Sequence, residues 1–332
     1  MVNKGLIAGI FTGLSLITCQ ALSQPVASAQ NSHAISVIPS AQKLSKLVQA
    51  AAKVEALPNL VVPLSKLISD FPIGTNAPDA RCLYPASNSN FGPRPACDFG
   101  DLSSDRTLVL FGDSNALMWL PAFITLGDKY SFRVKVLSLA SCNFADVPMW
   151  NGGSDVPGVA CTKFHQWAMQ QIKSIHPFAT VLVNLGAIPE FTYQHTLIPD
   201  AVFASAIVET IKTVVSESGS TIVLGTPPYP LTYVDPASCL AIHSSNIRVC
   251  STLPDQAGQY QQTLPTMKSS VAKAGAKFIN VVPWFCTMTV CPIVINDTAV
   301  YYDQYHITSH FAEELSTVLG NALVSYGAKL TG

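Results

Sequence analysis

The strongest constraint on the fold is an alternation of short apolar runs with longer amphipathic stretches, which begins near residue 107. Five runs of five to seven residues are rich in Val, Ile and Leu and are predicted strands: Thr107–Phe111, Arg133–Leu139, Thr180–Asn184, Thr221–Gly225 and Lys277–Val282. Apolar residues recur at helical spacing in five further stretches: Asn115–Leu126, Cys161–Ile175, Ala201–Ser216, Asp255–Ala274 and Thr308–Tyr326. Strands separated by helices predict a three-layer α/β domain with a mostly parallel five-stranded sheet.

The N-terminus has the pattern of an export signal. Lys4 precedes an apolar segment, Leu6–Thr18, and small residues at Ala27 and Ala29 form a predicted cleavage site, so residues 1–29 are the expected signal peptide. An uncleaved anchor is the alternative, but this apolar run is shorter than the roughly 20 residues that span a bilayer. The mature chain is therefore expected outside the cytoplasm, secreted, periplasmic or bound to the cell envelope.

A lead-in of different character, residues 30–100, precedes the α/β domain, which is expected at residues 101–332. Two amphipathic stretches in the lead-in, Ala41–Val54 and Leu60–Ile68, are predicted helices. Phe71–Gly100 is rich in Pro, Gly, Asn and Ser and has no sustained period, so it is predicted to be a loop held by its two cysteines.

Composition limits the possible partners of the chain. It has 19 basic and 20 acidic side chains, and without a basic excess to neutralise phosphates nucleic acid is not an expected partner. Hydrophobic residues make up 48%, enough for a full core. No apolar run of about eighteen residues follows the N-terminal segment, which excludes a polytopic membrane protein.

Eight cysteines remain after the predicted signal peptide, and an even number in an exported chain indicates disulfides. They fall into four sequence-adjacent pairs, each within its own loop: Cys82 with Cys97, Cys142 with Cys161, Cys239 with Cys250, and Cys286 with Cys291. Structural zinc is the competing interpretation, but it favours closely spaced Cys-x-x-Cys pairs. No metal and no cofactor are expected.

Candidate catalytic residues follow the first and the last predicted strands. Ser114, in Gly112–Asn115, lies at a strand-to-helix turn, which exposes its hydroxyl near free N–H groups. A serine nucleophile needs a base and a carboxylate that orients the base, and Asp303 and His306 fit these roles. Because ligands of open parallel sheets bind beyond the carboxyl ends of the strands, the three residues are expected at one edge.

Three other interpretations of these motifs stay open. Ser114 could be a plain helix cap. Gly112–Ala116 also approximates the Gly-x-Ser-x-Gly elbow of α/β-hydrolases, although in that fold several strands precede the nucleophile. His306 and His310 have one-turn helical spacing that could suggest zinc, but the Glu of His-Glu-x-x-His is missing.

From Cys82 to the C-terminus the chain resembles the SGNH (GDSL-type) hydrolases, in particular the extracytoplasmic SGNH domains attached to membrane acyltransferase-3 proteins. The resemblance lies in Leu110–Ala116 with Trp119–Ala122, in Ser141–Cys142 with Cys161 and Trp167, and in Asp303–His306. It implies a flavodoxin-like three-layer fold, a serine nucleophile at Ser114 and a base at His306 positioned by Asp303.

The chain departs from the family pattern at the oxyanion hole. Where the second family block often supplies a Gly, the chain has Leu139–Cys142, so the N–H of Ser141 is expected to serve together with that of Ser114. The third block often contains Gly-x-Asn-Asp, whereas Val183–Gly186 offers Asn184 in a shifted frame, as an oxyanion donor or alternatively as a capping or loop residue.

The expected function is that of an exported serine O-acyl esterase or O-acyltransferase acting on an acylated carbohydrate, in particular a cell-envelope glycan, with a membrane acyl-donor protein as a candidate partner. The segment Pro227–Pro254, held by Cys239 and Cys250, is expected to wall an acceptor groove and to favour transfer over hydrolysis. A non-catalytic glycan-binding or envelope-structural protein on the same fold is the alternative.

Overall fold

The computed structural model describes residues 36–71, 81–88, 90–147, 159–183, 198–229, 235–254 and 260–332. The predicted signal peptide and Asn184 lie outside these ranges. Residues 35–332 form one compact unit.

A twisted parallel sheet of five strands forms the centre of this unit, as predicted from the sequence. The strands are β3 (Thr107–Gly112), β4 (Arg133–Leu139), β5 (Ala179–Val183), β6 (Thr221–Leu224) and β7 (Lys277–Ile279). Their spatial order is β4-β3-β5-β6-β7, and every neighbouring pair is parallel. This is the doubly wound order of flavodoxin-like folds, and it makes β3 a central strand.

Within the described residues the sheet has seven strands, not the five that the sequence predicts. The additional strands, β1 (Leu83–Tyr84) and β2 (Asp98–Gly100), both pair with β4, parallel and antiparallel respectively. Both come from the segment predicted to be a loop, and two or three residues are too few to show a strand period. A separate hairpin joins β8 (Val294–Ile295) to β9 (Thr298–Ala299).

A helix forms within every predicted helical stretch, and two of the long ones are each divided in two. Trp119 separates α3 from α4, where Pro121 follows in the first turn. Leu315 likewise separates α9 from α10. The prediction Leu60–Ile68 is too long, because the helix begins only after Pro63 and covers Leu64–Leu67, and residues 255–259 of the prediction Asp255–Ala274 lie outside the described ranges. The ten helices of the described residues are α1 (Ala41–Ala51), α2 (Leu64–Leu67), α3 (Ser114–Met118), α4 (Leu120–Tyr130), α5 (Val159–Ile175), α6 (Asp200–Glu217), α7 (Pro236–Ile242), α8 (Tyr260–Lys273), α9 (Ser309–Glu314) and α10 (Ser316–Ser325).

The core lies on both faces of the sheet, which explains why the central strands are rich in apolar residues without a strict alternation. Successive side chains of a strand point to opposite faces, and accordingly Leu108 and Leu110 belong to one apolar cluster while Val109 and Phe111 belong to the other. All four are fully buried.

The lead-in packs into the first of these clusters. Leu44 and Val48 of α1 and Leu67 of α2 are buried there, and the N–H of Ile38 donates a hydrogen bond to the carbonyl oxygen of Glu314 (2.8 Å). The buried side chains of residues 36–71 therefore belong to the core of the α/β unit.

The structure contains the four disulfides between sequence-adjacent cysteines: Cys82–Cys97, Cys142–Cys161, Cys239–Cys250 and Cys286–Cys291. Disulfides in this number are typical of an extracytoplasmic protein. Among the described helices, none has the length and apolar character needed to cross a bilayer.

Candidate active site

The turn between β3 and α3 fixes the position of Ser114. Asp113 is the N-cap of α3, and its carboxylate accepts a hydrogen bond from the N–H of Asn115 (2.7 Å). Its carbonyl oxygen accepts one from the buried hydroxyl of Ser138 on β4 (2.8 Å). The turn is thus held by its own cap and by the neighbouring strand, while Ser114 itself is only partly buried.

Gly112, the last residue of β3, allows the backbones of β3 and β5 to come unusually close. A Cβ atom built on Gly112 would lie 1.7 Å from the carbonyl oxygen of Val183. Only glycine fits this position, two residues before Ser114.

The structure brings Ser114, His306 and Asp303 together as one hydrogen-bonded chain. His306 Nε2 lies 2.8 Å from Ser114 Oγ, and His306 Nδ1 lies 2.8 Å from Asp303 Oδ2. With Nδ1 protonated and donating to the carboxylate, Nε2 is free to accept the serine proton. This arrangement can raise the nucleophilicity of a serine hydroxyl.

The loop that carries Asp303 and His306 is closed on itself. The N–H of Tyr302 donates to the carbonyl oxygen of His306 (2.9 Å), and Asp303 Oδ1 accepts hydrogen bonds from the N–H groups of Tyr305 (2.7 Å) and His306 (2.8 Å). Partial burial alone would raise the pKa of Asp303, but the hydrogen bond and charge of His306, with these two N–H groups, outweigh it and lower the pKa. The carboxylate is therefore ionised at neutral pH.

The predicted oxyanion residue Ser141 lies just beyond β4 with its backbone in the left-handed region, at φ 55°. The next residue is tied to α5 by the disulfide Cys142–Cys161. His165, also on α5, donates through Nε2 to the carbonyl oxygen of Asn143 (2.8 Å) and is buried. The loop after Ser141 is thus fastened to α5 at two points. No sequence motif marks His165, whose contacts are with the backbone of Asn143 and, 3.0 Å from Nδ1, with the carboxylate of Asp146.

Side chains from helix α3 and from two loops meet beside Ser114. Asn115 is fully buried, and its Oδ1 accepts a hydrogen bond from the hydroxyl of Tyr229 (3.3 Å). The Tyr229 ring packs edge-on against Tyr305, with 5.8 Å between ring centroids. Tyr229 lies near the start of Pro227–Pro254, the segment predicted to wall an acceptor groove, so this end of the segment lies beside Ser114.

The other end of that segment lines a different surface. Asn246, Arg248 and Leu253 contribute to an open cavity of about 740 Å³ together with Lys53 and Thr287. None of the residues that line this cavity belongs to the Ser114–His306–Asp303 chain.

The described residues contain one cluster of possible metal ligands, Cys142, Cys161 and His165. Because the two cysteines are joined in a disulfide, their sulfurs are not thiolate ligands. His306 and His310 do not share a site either, since Nδ1 of His310 lies 2.7 Å from Asp70 Oδ1 while His306 faces Asp303 and Ser114.

The sheet is flavodoxin-like, and a serine, a histidine and an aspartate are hydrogen-bonded to one another at the carboxyl ends of its strands. This combination is typical of serine hydrolase-like proteins. Residues 81–320 match the family model of the SGNH domain (fused to AT3 domains). The chain therefore belongs to this family, and the resemblance seen in its sequence is confirmed. Comparison with curated proteins found no match.

Three solved structures are similar to the chain at low sequence identity. The periplasmic domain of the lipopolysaccharide acetyltransferase of Salmonella ser. Paratyphi A is similar with a TM-score of 0.54 and 13% identity, over 78% of this chain and 94% of that domain. A carbohydrate esterase family 2 enzyme of Corynascus thermopiles (Myceliophthora fergusii) gives a TM-score of 0.41 and 16% identity, over 72% and 68%. An acetylxylan esterase mutant of Geobacillus stearothermophilus gives 0.39 and 13%, over 70% and 99%.

Proposed function

We propose that the chain is an extracytoplasmic serine O-acyl esterase or O-acyltransferase that acts on an acylated carbohydrate of the cell envelope. The observation that carries the proposal is the hydrogen-bonded chain from Ser114 through His306 to Asp303. It joins residues 192 positions apart in the sequence at an accessible turn, which a plain helix cap does not require.

In this reaction Ser114 Oγ attacks the carbonyl carbon of the acyl ester while its proton passes to His306 Nε2. Asp303 stabilises the imidazolium that forms and keeps its Nδ1–H oriented. The N–H groups of Ser114 and Ser141, with the side chain of Asn184, are assigned to the oxyanion. His306 then protonates the leaving alcohol, and water or a sugar hydroxyl attacks the acyl-enzyme with His306 again as base.

The carbohydrate part of the proposal has support from the family and the fold. Domains of this family occur fused to AT3 domains, and the structure with the TM-score of 0.54 is the periplasmic domain of a lipopolysaccharide acetyltransferase. A membrane acyl-donor protein is accordingly the proposed partner.

A fluorophosphonate probe tests the nucleophile. Mass spectrometry of the labelled protein should place the probe on Ser114, and Ser114→Ala should abolish labelling, whereas Ser103→Ala, at an exposed serine, should label like wild type. Turnover of a small acetyl ester should fall by about 10³-fold or more in Ser114→Ala and nearly as much in His306→Ala. A folded protein that does not label at Ser114 would instead be a non-catalytic glycan-binding or structural protein.

The identity of the acceptor needs a second experiment, because the acyl-enzyme is common to both reactions. We propose transfer to a polysaccharide or oligosaccharide, with hydrolysis of simple esters as a side activity, since the exposed ring of Tyr305, packed on Tyr229, offers an aromatic surface beside His306. Envelope glycans incubated with an activated acetyl ester and enzyme should gain acetyl groups in mass spectra, and Ser114→Ala should give none. Release of free acid alone across the panel, with deacylation of native acetylated glycan, identifies an esterase.

A further inference from the structure

The end of the segment 36–71 lies against the loop that carries Asp303 and His306 and against the helix that follows it. Residues 36–71 precede the matched family domain, which begins at residue 81. Two consecutive residues at the end of this segment, Asp70 and Phe71, are both buried, with 6% and 4% of their surface exposed. Phe71 contacts the loop that carries Asp303 and His306, and Asp70 contacts the helix that follows this loop.

Asp70 is attached to the first turn of α9, directly after His306. Its carbonyl oxygen accepts a hydrogen bond from the N–H of Ser309 (2.9 Å). Its Oδ1 lies 2.7 Å from Nδ1 of His310 and accepts the N–H of the same residue (3.3 Å). Main chain and side chain of Asp70 thus hold the helix end that follows the catalytic loop.

Phe71 packs on both ends of the loop itself. Its ring stacks on Tyr302, with centroids 4.8 Å apart and planes 11° apart. The same ring lies 4.7 Å from the imidazole of His306, tilted by 43°. Hydrogen bonds constrain the two nitrogens of His306, and Phe71 covers part of a face of the ring.

We propose that Asp70 and Phe71 are positioning residues for His306, so that residues 36–71 complete the active site although they lie outside the matched domain. Hydrogen bonds at the two ring nitrogens leave the imidazole able to tilt about the line that joins them. Phe71 limits that tilt and keeps water from the covered face, while Asp70 anchors the backbone beyond it. The inference rests on the proposed role of His306 as base.

Phe71→Ala tests the proposal, with Leu44→Ala as the matched control. Leu44 is buried to the same degree in the same lead-in, but α1 packs on the turn Val282–Trp284 and on β8. Below the melting temperature of both variants, Phe71→Ala should lower kcat on a small acetyl ester by about 10- to 100-fold with KM within about twofold. Leu44→Ala should lose stability but keep kcat within about twofold of wild type.

Two further measurements separate positioning from a general loss of stability. Phe71→Leu, which keeps most of the apolar volume, should restore kcat to within about fivefold of wild type. Amide hydrogen exchange of the segment Tyr302–Thr308 should speed up in Phe71→Ala and not in Leu44→Ala.

The outcomes distinguish this inference from the proposed function. If wild type labels at Ser114 with the fluorophosphonate and Phe71→Ala labels at the same rate, the positioning role is wrong and the nucleophile stands. A rise in KM at constant kcat would also overturn it, because Phe71 would then contact substrate. If wild type does not label, the proposed function fails, and unchanged exchange in Phe71→Ala would refute the packing argument independently.

Discussion

Gly112→Ala should destabilise the protein and inactivate it together, because the added methyl group has no room between β3 and β5. Its Cβ would lie 1.7 Å from the carbonyl oxygen of Val183 and 2.8 Å from the carbonyl carbon, whereas such contacts are essentially never closer than 3.0 Å. The two strands must therefore separate by more than about 1 Å at this point.

The expected loss of stability depends on which atoms the added methyl group would contact. Overpacking against movable side chains costs about 1–3 kcal/mol, and here the obstacle is the backbone of a central strand, so about 3 kcal/mol or more is expected. Ser114 lies two residues away, and a shift of about 1 Å would break its 2.8 Å hydrogen bond to His306. Such a displacement costs about 10²-fold in kcat.

Urea unfolding and acetyl-ester kinetics measure the two effects, with Gly92→Ala as the control. A Cβ on Gly92 meets no atom within 4 Å, so this variant should match wild type in both assays. If Gly112→Ala matches Gly92→Ala in unfolding free energy and kcat, the close approach of β3 and β5 does not position Ser114.

Three further predictions concern the groups around the site. Asp303→Asn should lower kcat by about 10²- to 10⁴-fold, yet less than Ser114→Ala. The Asn oxygen would still accept from the N–H groups of Tyr305 and His306, which turns the amide N–H toward Nδ1 of His306. Equal losses of kcat in the two variants would contradict an orienting role of Asp303. The hydrogen bond that His310 donates to Asp70 raises the pKa of His310 above 6.5, against a smaller opposing effect of burial and with help from the charges of Asp70, Glu313 and Glu314. Folding therefore favours the charged form of His310. His310→Gln should cost the most unfolding free energy below about pH 6.5 and progressively less as the pH rises through the folded pKa. The opposite trend in urea unfolding would refute this role of the Asp70–His310 pair. Non-reducing peptide mapping should find Cys142 linked to Cys161. A Cys142→Ser, Cys161→Ser double variant should lose about 2–4 kcal/mol of unfolding free energy together with activity. Retained activity would show that the oxyanion hole does not depend on this disulfide.

The central sheet could be predicted from the sequence because burial on both faces leaves a strong local signal. Arg133–Leu139 is a strand over the predicted range. Leu83–Tyr84 and Asp98–Gly100 could not be found in this way, because their pairing with β4 comes from tertiary contact and not from local pattern. The same holds for the break at Trp119, which lies within a continuous apolar period.

The candidate site likewise has a part that the sequence predicts and a part that it does not. Ser114, Asp303 and His306 were predictable because their chemistry needs those residue types and because strand ends of a parallel sheet share one edge. Phe71 was assigned to the start of a loop, and nothing in its neighbourhood signals a catalytic contact. Its partners, Tyr302 and His306, are more than 200 residues away along the chain. Aromatic packing over that distance has no sequence period.

Backbone packing therefore determines the position of Ser114, and side-chain packing determines the orientation of His306. The position of Ser114 follows from the close contact of β3 with β5 at Gly112, which belongs to the sheet and cannot relax locally. His306 lies on a loop whose hydrogen bonds are mostly internal, so its orientation depends on what packs against it. The loop lies against Phe71 on one side and Tyr229 on another. Substitutions at the sheet should accordingly change stability and rate together, whereas substitutions at the aromatic contacts should change rate more than stability.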